Sequence, residues 1–144
     1  MLENSKVNIK IKLAALWASA TFCYLYGDYF ELYTPDKVNS LITGDNNLDS
    51  PSKLLLASII LAIPSVMVAA SLFLKPKINR ILNILFGTLF TVMMVLIGII
   101  STNEWYLFYV FLAFLESIIT AIIVWCAWKW PKEKQVDIQL TPSE

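Results

Sequence analysis

The chain has 144 residues, 58% of them hydrophobic and only 15% charged, and its 11 basic residues balance its 11 acidic ones. A soluble domain of this length buries only about 70% of its surface. That cannot hide so much apolar side chain, so a water-soluble globule, a disordered chain and a disulfide-rich secreted module are excluded. Zero net charge gives no basic excess for nucleic acid, and the lack of histidine removes imidazole metal sites and imidazole acid–base chemistry.

Four apolar blocks follow in chain order, over about 11–33, 54–74, 81–100 and 105–128. At about 1.5 Å of rise per residue, each can cross a hydrocarbon core of about 30 Å. Lipid offers the backbone no partners, so the blocks are predicted as helices. The expected fold class is an all-α integral membrane protein. It is an antiparallel four-helix transmembrane bundle, one domain over 1–144, with a short external interfacial helix.

In the first block, Ala18-Ser19-Ala20 has the form of a signal-peptidase site. Only Leu13–Trp17 would remain before the cut, short of the roughly 7–15 apolar residues such a segment needs. Phe22 before Cys23 likewise speaks against a lipid-modified cysteine. The connection 34–53 comes next. Thr34-Pro35 reads as an N-cap followed by proline at the first helical position, and Gly44 reads as a stop. Asp45-Asn46-Asn47-Leu48-Asp49 opens like a calcium loop. Ser50 then stands where glycine is needed and Leu56 where the bidentate glutamate belongs, so a polar turn is the better reading. Ser50-Pro51 repeats the cap-and-proline signal and starts the second span. The two later connections are very short, which predicts antiparallel neighbours for spans 2–3 and 3–4.

Lysine and arginine set the expected orientation. Lys6, Lys10 and Lys12 precede span one; Lys75, Lys77 and Arg80 separate spans two and three; Lys129, Lys132 and Lys134 follow span four. Only Lys37 and Lys53 lie in the first connection. Nine of the 11 basic residues thus mark one side. The expectation is a bacterial inner membrane, both termini cytoplasmic, tails 1–10 and 131–144 inside. Trp105 and Tyr106 mark the outer aromatic belt, and Trp125, Trp128 and Trp130 the inner one.

Each block carries one stripe of small or polar residues at alternating four-and-three spacing. Span one offers Trp17, Thr21, Tyr24, Asp28 and Glu31; span two Ser58, Ala62, Ser65 and Ala69. Span three offers Gly87, Thr91, Met94 and Gly98; span four Tyr109, Ala113, Glu116 and Thr120. Helices in lipid turn such faces toward one another, because small residues permit close approach and polar ones find partners. Most of these positions are expected to be packing. Pro64 frees a backbone carbonyl near mid-membrane, which kinks the helix.

Counting inward from Trp105 puts Glu116 roughly 16 Å deep. Tyr24, Ser65 and Thr91 fall at similar depth, so the stripes predict one polar layer of Tyr24, Ser65, Thr91 and Glu116. Asp28 and Glu31 lie nearer the outside, as solvated helix-end charges first, or as an attractor for cations or a relay toward Glu116; Tyr109 and Thr120 flank Glu116 on its own helix. No cation falls in an apolar block at that depth. An ionised carboxylate there costs several kcal/mol, so Glu116 is either neutral and hydrogen-bonded or charged beside water or a bound cation. Intramembrane ionisable groups are functional by default.

Cys23 and Cys126 differ in depth by about 12 Å, too far for a disulfide. No C-x-x-C, nucleophile, phosphate-binding or dinucleotide motif is present. No cofactor, no metal and no enzymatic activity is therefore expected. A lipid- or quinone-directed enzyme would need Asp28 and Glu31 as acid and base, which their spacing does not demand.

Tyr24-Leu25-Tyr26-Gly27-Asp28 in span one and Trp125-Cys126-Ala127-Trp128-Lys129-Trp130 ending span four resemble a family of small bacterial four-span membrane proteins of unknown function, over about 10–131. In layout alone the chain is also similar to small multidrug resistance exporters, which use one intramembrane glutamate for protons and cationic drugs. Their glutamate lies in the first span and their loops are shorter. The expected function is binding of a proton, cation or small ligand at the polar seam, with proton-coupled transport as one form. The expected partners are the lipid bilayer, a small cationic or lipid-like ligand and a second copy of the chain. A non-catalytic accessory or structural membrane protein is the alternative.

Overall fold

A computed structural model describes residues 7–101 and 103–131. Lys6, Lys132, Lys134 and most of both tails lie outside the described residues. Within them are five helices and no strand: α1 (Ile9–Glu31), α2 (Lys37–Thr43), α3 (Pro51–Phe73), α4 (Pro76–Ile100) and α5 (Leu107–Trp128). A 3-10 turn, Glu104–Tyr106, leads into α5. Three segments, Pro51–Phe73, Pro76–Ile100 and Glu104–Trp128, are long and apolar enough to cross a membrane. α1 matches α3 in length at 23 residues but carries Lys10, Lys12, Asp28 and Glu31.

Local chemistry explains the helix ends. Asn8 caps α1 by accepting from the Lys10 backbone N–H at 2.9 Å. Ser50 accepts from Lys53 N–H, and Pro51 takes the first helical position of α3, as the sequence predicts. α2 begins later than expected. The Thr34 hydroxyl donates to the Glu31 carbonyl at 2.8 Å, so it closes α1 instead of opening α2. The chain then turns through Asp36 at φ 60° before Lys37. Gly44, at φ 77°, ends α2 in the left-handed conformation that glycine adopts freely. Beyond it Asn46 Oδ1 accepts from Leu48 N–H at 2.8 Å, which makes the polar turn.

α1 packs on both α3 and α5, and α5 on both α1 and α4. α3 and α4 touch sparingly although one short turn joins them. A short connection forces proximity at the turn, but side-chain fit decides the rest, and the buried α1 face of Leu13, Ala14, Trp17, Ala20 and Gly27 fits α3 and α5. The core draws Leu13 and Trp17 from α1, Met67 from α3, Phe90 from α4 and Ile123 from α5. Trp17 and Tyr24 meet Phe90 edge-to-face at centroid distances of 6.1 and 5.8 Å.

Two cations finish helix C-termini at the end of the bundle that holds the α3–α4 turn. Lys10 Nζ donates to the carbonyls of Leu72 and Leu74, at 3.3 and 2.7 Å. Arg80 donates to those of Ala127 and Trp128, at 3.2 and 3.3 Å. The last carbonyls of a helix lack internal partners and carry partial negative charge, so cations suit them.

Candidate functional site

Along α5 the four-three-four spacing of Tyr109, Ala113, Glu116 and Thr120 turns all four inward. Ala113, Glu116 and Thr120 are buried and Tyr109 half-buried. Glu116 is 3% exposed. Its backbone carbonyl accepts from Thr120 Oγ1 at 2.9 Å, and Thr91 Oγ1 lies 2.7 Å from both Thr120 Oγ1 and the Gly87 carbonyl. These hydroxyls serve one another and the backbone, not the carboxyl. Among the described residues, no hydrogen-bond donor and no cation meets the Glu116 carboxyl.

That carboxyl borders a narrow cleft of about 10 Å³, lined by Tyr24 and Gly27 of α1, Met94 of α4 and Tyr109, Leu112 and Ala113 of α5. Tyr109 and Gly27 place it on the α2 side of Glu116. The buried Tyr24 hydroxyl has no partner among the described residues. Toward the α3–α4 turn large side chains fill the interior. Trp17, Phe90 and Ile123 are fully buried there. Below them Trp17 Nε1 donates to Asn83 Oδ1 at 2.7 Å, Asn83 Nδ2 to Asn79 Oδ1 at 2.6 Å and Asn79 Nδ2 to the Ser71 carbonyl at 2.6 Å.

The structure brings together Tyr24, Tyr109 and Glu116, and stacks Thr91 and Thr120 one turn away. It does not bring Ser65 to them. Ser65 is exposed, as are Ser58, Ala62 and Ala69, and α3 turns Pro64, Met67 and Ser71 inward instead. The expected four-residue layer is therefore a three-helix site without α3. Larger side chains fill the core there, and Ser58 satisfies its own hydroxyl on the Leu54 carbonyl at 2.8 Å. Asp28 is exposed. Glu31 pairs with Lys37 at 2.6 Å, both part-buried.

Asn79 and Asn83, both buried, fall outside the stripes expected from the sequence. The signal existed, because Gly87 and Thr91 extend backward in steps of four to Asn83 and Asn79, but the apolar block was started at Ile81. Cys23 and Cys126 are free. Among the described residues, no group of three cysteine or acidic side chains converges as metal ligands. The site holds one acid and two phenols, which can bind and pass a proton.

A family model matches residues 3–137, and the chain belongs to that family, a family of unknown function (DUF6326). No curated protein and no solved structure matches the chain.

Proposed function

We propose that this member of the DUF6326 family is a four-span membrane protein that reversibly binds a proton at Glu116. α1 completes the bundle as its fourth span. The basic residues support an arrangement with both termini on the cytoplasmic side and α2 on the outer face. Lys10 and Lys12 then lie at the inner end of α1 and Asp28 and Glu31 at its outer end, so its interior between them carries no charge. The cleft lies on the α2 side of Glu116, and buried Trp17, Phe90 and Ile123 fill the interior on the other side, which supports access to Glu116 from one side. In a proton-coupled carrier this is the outward-facing state.

One observation carries the reading. Glu116 is buried among apolar helices, has no cation or donor on its carboxyl among the described residues and still borders a cleft. A carboxyl used for structure alone is expected to have a donor, because an unsatisfied buried polar group costs about 1–3 kcal/mol. The second reading is a structural membrane protein, and the size of the cleft favours it: about 10 Å³ admits no organic ligand.

Thermal melts of the wild type and Glu116→Gln, in detergent or lipid across acid to mildly alkaline pH, separate the two. Raising the pH removes the Glu116 proton, and a carboxylate in the folded bundle costs several kcal/mol that an isosteric amide avoids. The wild type should therefore lose stability relative to Glu116→Gln as pH rises. A melting difference that stays constant with pH leaves only the structural reading.

A further inference from the structure

Tyr24 presents a second anomaly at the same place. Its ring is held edge-to-face on Phe90, yet its buried hydroxyl has no partner among the described residues. Native proteins rarely bury a hydroxyl without a partner, and a common explanation is an ordered water. A water needs about 10–15 Å³ and two to four polar partners. The cleft offers about 10 Å³ and three polar side chains, Tyr24, Tyr109 and Glu116, on two helices. Its other lining residues, Gly27, Met94, Leu112 and Ala113, offer no polar side chain.

We infer that this cleft is a binding site for a single water molecule that joins the Tyr24 and Tyr109 hydroxyls to the Glu116 carboxyl and relays the proton. The inference rests on the proton-binding reading of Glu116. The Tyr24 hydroxyl donates to the water, and the water donates to a carboxylate oxygen. An arriving proton makes the water hydronium. Hydronium gives that proton to the carboxylate, leaving a neutral acid and a neutral water, while both phenols keep their own protons. Tyr24 and Tyr109 are thus positioning residues for the water. The titratable groups around the site are Cys23, Tyr24 and Asp28 on α1 and Tyr109 on α5; α4 contributes Met94 and no charge.

The test is infrared difference spectroscopy on wild type, Tyr24→Phe, Tyr109→Phe and Glu116→Gln in lipid vesicles, in ordinary and in oxygen-18 water. Phenylalanine keeps each ring, and thermal melts report whether the fold is retained. The wild type should show a titrating carboxyl band, absent in Glu116→Gln, together with an isolated O–H stretch that shifts in oxygen-18 water. Tyr24→Phe should lose that stretch and move the carboxyl band toward the frequency of a free acid. Tyr109→Phe should weaken both features, and it alone decides the matter if Tyr24→Phe fails to fold. A carboxyl band that titrates unchanged in the folded phenylalanine variants overturns the water relay and leaves the proton site standing. No titrating band in the wild type overturns both.

Discussion

At Gly87 an added methyl would sit 2.8 Å from Val124 Cγ2 and 3.5 Å from the Thr120 carbonyl oxygen. Valine in a helix holds one strongly preferred rotamer, so Val124 cannot simply swing away. Gly87→Ala should cost about 1–3 kcal/mol through overpacking, and adding Val124→Ala should restore part of it in a double-mutant cycle of thermal melts. Gly98→Ala is the control, because its methyl would meet Ala113 Cβ at an ordinary 3.7 Å. Asn83 makes the complementary case. It accepts from Trp17 and donates to Asn79 in a dry interior, so Asn83→Ala strands the Trp17 N–H and the Asn79 side-chain oxygen. The loss should be about 1–3 kcal/mol, with a change in Trp17 emission. At this scale the sequence was informative where chemistry was rare: a lone glutamate in an apolar block could be placed, and it is buried. The unpaired Tyr24 hydroxyl was not legible, since it depends on which rings pack around it.

Helix ends follow local rules, and so do their consequences. Gly44 ends α2 at φ 77°, where a side chain costs about 1–2 kcal/mol. Gly44→Ala should therefore destabilise the α2 segment, seen as faster amide exchange over Lys37–Thr43. Asp36, also at positive φ, should tolerate glycine. Ser50-Pro51 and Gly44 announced themselves because capping needs particular side chains at particular positions. The start of α2 did not, because Thr34 stands between the unpaired carbonyls that end α1 and the unpaired N–H groups that begin α2, and its hydroxyl donates to α1. Serine spacing also misled along α3. A helical serine can bond its own preceding turn, as Ser19, Ser58 and Ser117 do, so a serine stripe does not by itself mark a buried face. Shape decides, and Met67 and Phe90 supply more buried surface than Ala62 or Ser65 would.

The whole molecule is asymmetric from end to end. One end has Lys10 and Arg80 fastened onto helix carbonyls, the Asn79–Asn83 network and a buried apolar core. The other carries α2, the Glu31–Lys37 pair and the cleft. Helix content and the inward faces of α4 and α5 were readable from periodicity. The packing of α1 on both α3 and α5 was not, because connection length fixes neighbours only at the turn. The proposed arrangement gives access to Glu116 from the α2 side alone. Oriented vesicles with a pH jump on one face, read by the infrared carboxyl band that Glu116→Gln removes, test this most directly. The band should respond when the α2 face is jumped and stay still when only the opposite face is. A response from the opposite face alone, or from neither, contradicts a one-sided proton site at Glu116.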